Sequence, residues 1–320
     1  MRVLFCGTPD FAAEVLRILL TGRHPVVGLL SQPTRPQGRG LTLEDPPAVA
    51  RARAAGLPIF QPARLHGPES LDQLRALEPD LIVTAAFGRI LRPALLTLPP
   101  RGCWNVHASL LPRHRGASPV SAAILAGDAW TGLTIFRMDE GLDTGPILLQ
   151  EMTPIGAQET AGELTARLAA LGGRLLNEAL DREQRGNLTV EPQPPFGATY
   201  APMMSKEDGR ILWDRPVEQV ERAIRAVTPW PGAFTFIDGK RLRIHRALPV
   251  HRVAVRDPAG NLAEPGTIAP LPAGRPGIGV ACGPGLICLC EVQSEGKKRQ
   301  EATEWLRGNR AEIGSRLTDC

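Results

Sequence analysis

Lysine is nearly absent from this sequence: four Lys stand against 33 Arg in 320 residues. Aromatic residues make up only 4%, and no apolar run approaches the roughly 20 residues that a membrane-spanning helix needs. The six cysteines (Cys6, Cys103, Cys282, Cys288, Cys290 and Cys320) contain no C-x-x-C pair. That argues against a zinc module and against the disulfide framework of a secreted domain, and a reducing, cytoplasmic setting is expected. A signal peptide is not expected either. In MRVLFCGTPDF, Gly, Pro and Asp follow directly on the apolar residues, which predicts a buried strand.

What is present is the composition of a soluble globular protein: 43% hydrophobic, 22% charged, mean hydropathy −0.09. The length suits two domains better than one. Charge is unevenly placed. Residues 1–200 hold 19 Arg, no Lys and 19 acidic residues, whereas residues 201–320 hold 18 basic and 14 acidic residues and carry the whole net charge of +4. A basic C-terminal third suits a polyanionic partner.

Through residue 186 strand-like and helix-like stretches alternate. Apolar runs at 3–6, 26–31, 81–87, 103–109, 132–138 and 147–155 predict strands, and helical spacing predicts helices at 10–20, 70–77, 118–127 and 160–184. Such alternation implies βαβ units, hence a doubly wound, Rossmann-like α/β domain with a mostly parallel sheet. The polar, Pro-rich stretch 187–207 reads as a linker. Beyond it, a helix at 217–227 and short strands at 233–237, 240–246, 266–268, 277–282 and 285–292 predict a smaller OB-like β-barrel over 208–312.

Four passages could carry chemistry. GTPDF (7–11) sits where a dinucleotide-binding loop would, but lacks the G-x-G-x-x-G glycines, so a tight strand-to-helix turn is expected. In WNVHASLLPRHRGASP, Asn105 and His107 are two apart on a predicted strand and share a face at its carboxyl end. A carboxamide beside an imidazole suits a carbonyl becoming tetrahedral: one donates to the oxyanion, the other donates or moves a proton. A satisfied amide and a buried core imidazole would look the same in sequence. In MDEGLDTGP, Asp139, Glu140 and Asp143 could cap turns, or one could reach His107, fix its tautomer and raise its pKa. The sixteen residues QPTRPQGRGLTLEDPP (32–47) form a long Pro-rich loop in which Arg35 and Arg39 could reach phosphates.

Taken together, FCGTPDFA (5–12), SQPTRPQGRG (31–40), AAFGRIL (85–91), NVHASLLPRHRGASP (105–119), GLTIFRMDEGLDTGPIL (132–148), KEDGRILW (206–213) and AVTPWPGAF (226–234) resemble the folate-dependent formyltransferases across nearly the whole chain. The resemblance implies 10-formyltetrahydrofolate as formyl donor, methionyl initiator tRNA as acceptor, and no metal. Asn105, His107 and Asp143 match the family's catalytic positions. Ser109, Leu110, Leu111 and Pro112 match a segment lining the folate site, and Arg89, Ile90, Leu91 and Leu142 resemble residues on the pterin side. Arg35, Arg39 and Lys206 are the cations expected to face tRNA. The sequence departs from the pattern at Leu41, Thr42 and Met203, where many members carry lysine. Other readings are a formyltransferase for a glycinamide nucleotide or an amino sugar, a hydrolase of the folate, or a non-catalytic RNA-binding module. A monomer is expected.

Overall fold

Val3–Gly7 (β1) is buried along its whole length, as a strand must be when helices cover both faces of its sheet. In this computed structural model, which describes residues 1–37, 42–250, 255–256, 260–272, 275–309 and 311–319, β1 is the centre of a seven-stranded sheet. The other strands are Val26–Leu30 (β2), Ile59–Phe60 (β3), Leu81–Ala85 (β4), Cys103–His107 (β5), Trp130–Arg137 (β6) and Ile147–Pro154 (β7). They lie in the order β7-β6-β5-β4-β1-β2-β3. The pairs β1/β2, β2/β3, β1/β4 and β4/β5 are parallel, while β5/β6 and β6/β7 are antiparallel. The expected Rossmann-like sheet is therefore present.

From β1 the chain winds outward through β2 and β3, then returns to β4 on the other side. The switch lies between β1 and β4, and the crevice outside their carboxyl ends is where open α/β sheets bind ligands. The GTPDF turn occupies this edge: β1 ends at Gly7 and a helix begins at Asp10. The Thr8 hydroxyl donates to the carbonyl of Phe87 and accepts from the backbone N–H of Gln32, at 3.3 and 3.4 Å. Gln32 Nε2 also donates to the Phe87 carbonyl at 2.9 Å. Three loops at the carboxyl edge are thus tied to one another by short polar side chains.

The helix Asp10–Leu19 buries Phe11, Ala12, Val15, Leu16 and Leu19, and Ala161–Gln184 buries Leu164, Leu168, Leu175 and Leu176. Each of the Phe, Val and Leu side chains contributes about 1.5–3 kcal/mol in lost water contact. Three helices went unread in the sequence, the shortest being the four-residue Pro93–Leu96. Pro47–Ala54 has only a thin apolar stripe, and Ala302–Gly308 is less than two turns long. The passage expected to be an extended loop instead forms a short antiparallel hairpin, with Arg35 opposite Glu44 and Gln37 opposite Thr42.

The chain divides into two units. One comprises Met1–Val120, Ala129–Ile155 and Glu163–Pro202; the other Ser121–Asp128, Gly156–Gly162 and Met203–Cys320. In the second, Ala233–Ile237 (β8), Lys240–Val250 (β9), Ile268–Ala269 (β10), Ile278–Ala281 (β11) and Leu286–Ser294 (β12) form an antiparallel half-barrel ordered β8-β9-β12-β11-β10. The helix Val217–Ala226 turns Val217, Val220 and Ile224 into a core with Trp213, Ile244, Leu289 and Trp305. Among the described residues no helix is long and apolar enough to cross a membrane.

Candidate active site

The polar residues of interest sit toward the carboxyl ends of two neighbouring parallel strands, where the apolar pattern gives way. Thr84 of β4 lies in register with Asn105 of β5, and its hydroxyl donates to Asn105 Oδ1 at 2.7 Å. With the carbonyl end of the amide occupied, the Nδ2 donors of half-buried Asn105 are left to face outward. Two residues on, His107 lies on the same face and is 5% exposed. Its ring meets Phe136 edge to face, with centroids 6.3 Å apart.

His107 Nε2 lies 2.9 Å from the carbonyl oxygen of His114. A carbonyl only accepts, so Nε2 carries the proton and Nδ1 carries the lone pair in the neutral ring. Nδ1 in turn faces Asp143 Oδ2 at 3.7 Å. The arrangement accepts a proton at Nδ1 and pairs the resulting imidazolium with a carboxylate. Burial pushes the His107 pKa below its ordinary value, outweighing the opposing pull of Asp143 and of the His114 carbonyl. The sequence expectation of a raised pKa is thus overturned. The carboxylate is present, but desolvation dominates. The tautomer, too, is set by the backbone of His114 rather than by an acid.

Of the three acids in the 138–146 loop, Asp143 is the one that reaches the imidazole. Asp139 caps the turn, accepting from the Gly141 N–H at 3.0 Å and the Thr144 hydroxyl at 2.7 Å, and Glu140 is exposed. Asp143 adopts a left-handed backbone with φ of 53°. Its Oδ2 accepts from the Gly116 N–H at 2.8 Å, and its own carbonyl accepts from Gln193 Nε2 at 2.7 Å. Gly116 is itself required there: φ is 119° and a Cβ would sit 2.5 Å from the Ala201 carbonyl.

The 109–112 segment is held by side chains that sequence reasoning did not single out. The Thr134 hydroxyl donates to the Ser109 carbonyl at 2.7 Å and accepts from the Leu111 N–H and Gln150 Nε2. Ser109 itself spends its hydroxyl on the Arg113 carbonyl at 2.6 Å, so its side chain closes a turn. Leu110 and Pro112 are half-buried, and Leu111 is buried. Arg89 donates to the carbonyls of Pro62 and Ala63, anchoring its loop. Leu91 packs into the core, whereas Ile90 and Leu142 are 84% and 60% exposed. Lys206 is exposed immediately before the helical turn Glu207–Gly209. Arg35 lies on the short hairpin, and Arg39 and Leu41 fall outside the described residues. Among the described residues no group of three or more His, Cys, Asp or Glu is placed to hold a metal ion.

Known proteins place this arrangement in a family. Residues 1–180 match the formyl transferase family and residues 203–310 its C-terminal domain. The methionyl-tRNA formyltransferase of Geobacter sulfurreducens is 46% identical over 320 residues, covering 100% of this chain and 98% of that one. The methionyl-tRNA formyltransferase of Xylella fastidiosa is 46% identical over 311 residues, 97% of this chain and 98% of that one. Among solved structures, an N-formyltransferase from Helicobacter canadensis in complex with folinic acid and dTDP-3-aminofucose superposes with a TM-score of 0.65 at 16% identity, covering 91% of this chain and 98% of that one. At that identity it bears on the fold alone. The chain belongs to the formyl transferase family, among its methionyl-tRNA formyltransferases.

Proposed function

We propose that the protein transfers the formyl group of 10-formyltetrahydrofolate to the α-amino group of methionyl initiator tRNA. The observation that carries this reading is the convergence of Asn105, His107 and Asp143 at the carboxyl edge of the sheet. Full-length similarity to proteins bearing the name methionyl-tRNA formyltransferase supports the choice of acceptor. The donor's flat fused ring would lie against the exposed side chains of Ile90 and Leu142 and against the 109–112 segment. Residues 1–186 would hold this chemistry, and residues 208–312, after the 187–207 linker, would contact tRNA. A reducing cytoplasm suits the free thiols of the five described cysteines.

The α-amine of an aminoacyl ester has a pKa near or below the ~7.7–8.0 of a free α-amine, so much of it is neutral and nucleophilic at working pH. The protein's task is alignment, charge stabilisation and proton transfer. As the amine nitrogen bonds to the formyl carbon, the formyl oxygen gains negative charge, which Asn105 Nδ2 is placed to meet. The attacking nitrogen must lose a proton and the departing N10 must gain one. His107, neutral and unprotonated at Nδ1, can accept the first proton, and Asp143 stabilises the imidazolium until the proton is passed on.

Incubation with 10-formyltetrahydrofolate and either methionyl initiator tRNA or glycinamide ribonucleotide tests the reading. Formylation of the methionyl ester is expected. Formylation of the nucleotide instead, or release of formate with no acceptor present, overturns it.

A further inference from the structure

The C-terminal unit contains a thiol pair for which formyl transfer has no use. Cys288 and Cys290, two apart on β12, project from one face of the strand. Opposite them on β9, the adjacent residues Arg246 and Ala247 pair with Glu291 and Leu289, leaving Cys290 as the extra residue of a β-bulge. Bulges re-aim side chains, and here the Cys290 S–H donates to the Cys288 carbonyl at 3.7 Å. Cys288 is buried beneath Gly277, where a Cβ would collide with its sulfur, and it lies 3.3 Å from the Pro276 carbonyl. Cys290 is half-exposed and borders a cavity of about 180 Å³ whose wall includes Arg246, Arg275, Glu301 and Thr303. Glu291 beside it is shared between Arg246 and Arg299, so the mouth of the cavity is positive on balance.

We propose that Cys290 is a modification site whose thiolate exchanges with small anionic disulfides, guided by Arg246 and Arg275. Its sulfur attacks one sulfur of the reagent. The reagent's S–S bond breaks, a Cys290–S–S–R bond forms, and the released thiolate takes a proton from water. The nucleophile is prepared for this. The neighbouring Cys288 side chain and the nearby Arg246 bring the Cys290 pKa down to about 7, against the opposing effect of burial. Cys288 is shifted the other way and stays protonated, its S–H donated to the Pro276 carbonyl. Cys6, Cys103 and Cys282 are buried, and burial raises the pKa of each.

The full chain carrying Cys320→Ser is treated with glutathione disulfide and, separately, with neutral 2-hydroxyethyl disulfide, and adducts are followed by intact mass and peptide mapping. The first adduct is expected on Cys290, and Cys290→Ser removes it. Arg275→Gln, which carries no thiol and lies on an exposed loop, slows the charged reagent by about threefold or more while changing the neutral one by less than about twofold. A first adduct on another cysteine, or an equal effect of Arg275→Gln on both reagents, overturns the proposal.

Discussion

The hydroxyl of Thr84 holds the side-chain carbonyl of Asn105 at 2.7 Å across two parallel strands. The bond fixes which end of the amide faces outward, so the donors of Asn105 are aimed before any substrate arrives. Preorganisation of this kind is how a hydrogen-bond donor gains its value toward a developing oxyanion. Thr84 touches no reacting atom in the proposed reaction and is a positioning residue.

Thr84→Val removes the donor while keeping shape and burial. The amide can then flip or tilt, and turnover is expected to fall roughly 10- to 100-fold with KM for either substrate little changed. Thr84→Ser, which restores the hydroxyl, should recover most of the rate. An equal loss in both variants would point to packing rather than orientation.

Asn105→Ala removes the proposed oxyanion donor itself. Loss of one such donor typically costs ~10²–10³ in rate, and that drop is expected in single-turnover formylation with folate binding preserved. A near-wild-type single-turnover rate would refute the assignment of Asn105.

His107 must be neutral to accept a proton, and burial keeps it neutral to lower pH than an ordinary imidazole. The rate should therefore rise with pH through an acidic limb lying below about 6.5 and level off above it, apart from the titration of the amine itself. Asp143 works against burial by raising the His107 pKa. Asp143→Asn should move that limb to still lower pH and reduce the plateau by about 10²-fold or more, because the imidazolium loses its counter-charge. Comparing the two proteins with one acceptor cancels the amine's own titration. A limb that moves upward in Asp143→Asn contradicts the geometry.

The candidate site's geometry was legible in sequence where side-chain periodicity and strand ends governed it. The N-x-H spacing placed Asn105 and His107 on one face, and His107 is the last residue of β5 with Asn105 at its middle. What was hidden depends on neighbours remote in sequence or on backbone atoms. Thr84 acts through an interstrand register twenty-one residues away, although a lone hydroxyl in the apolar run LIVTAAF was a visible irregularity. The His107 tautomer is set by the carbonyl of His114, an atom that every residue possesses. The sign of the His107 shift turned on burial, which the spacing of acids could not weigh. The helix Pro47–Ala54 escaped notice because Ala48, Val49 and Ala52 make its buried stripe while arginines interrupt it.

Four histidines bear on acid stability in the same direction. Burial lowers the pKa of His24, His66, His107 and His245 in the folded chain. The unfolded chain therefore binds protons first as pH falls through about 6.5, and stability declines from there until the folded pKa values are reached. Glu14 and Glu291 have lowered pKa values, and their contribution is lost only at more acid pH. Unfolding at pH 6 should thus take up protons, measurable by calorimetry in buffers of different ionisation enthalpy. Proton release on unfolding at that pH would contradict the burial of these rings.

Lys206 and Met203 test the proposed tRNA contact through salt. Each phosphate contact made by a cation releases bound counterions and steepens the fall of affinity with salt. Lys206 is exposed, so Lys206→Ala should leave stability unchanged and make the slope of log K against log salt shallower by about one. Met203 is exposed, at a position where the resemblance led us to expect lysine. Met203→Lys should steepen the slope by about one and tighten tRNA binding at low salt. If neither substitution moves the slope, the contact to tRNA runs elsewhere and residues 203–206 have no part in it.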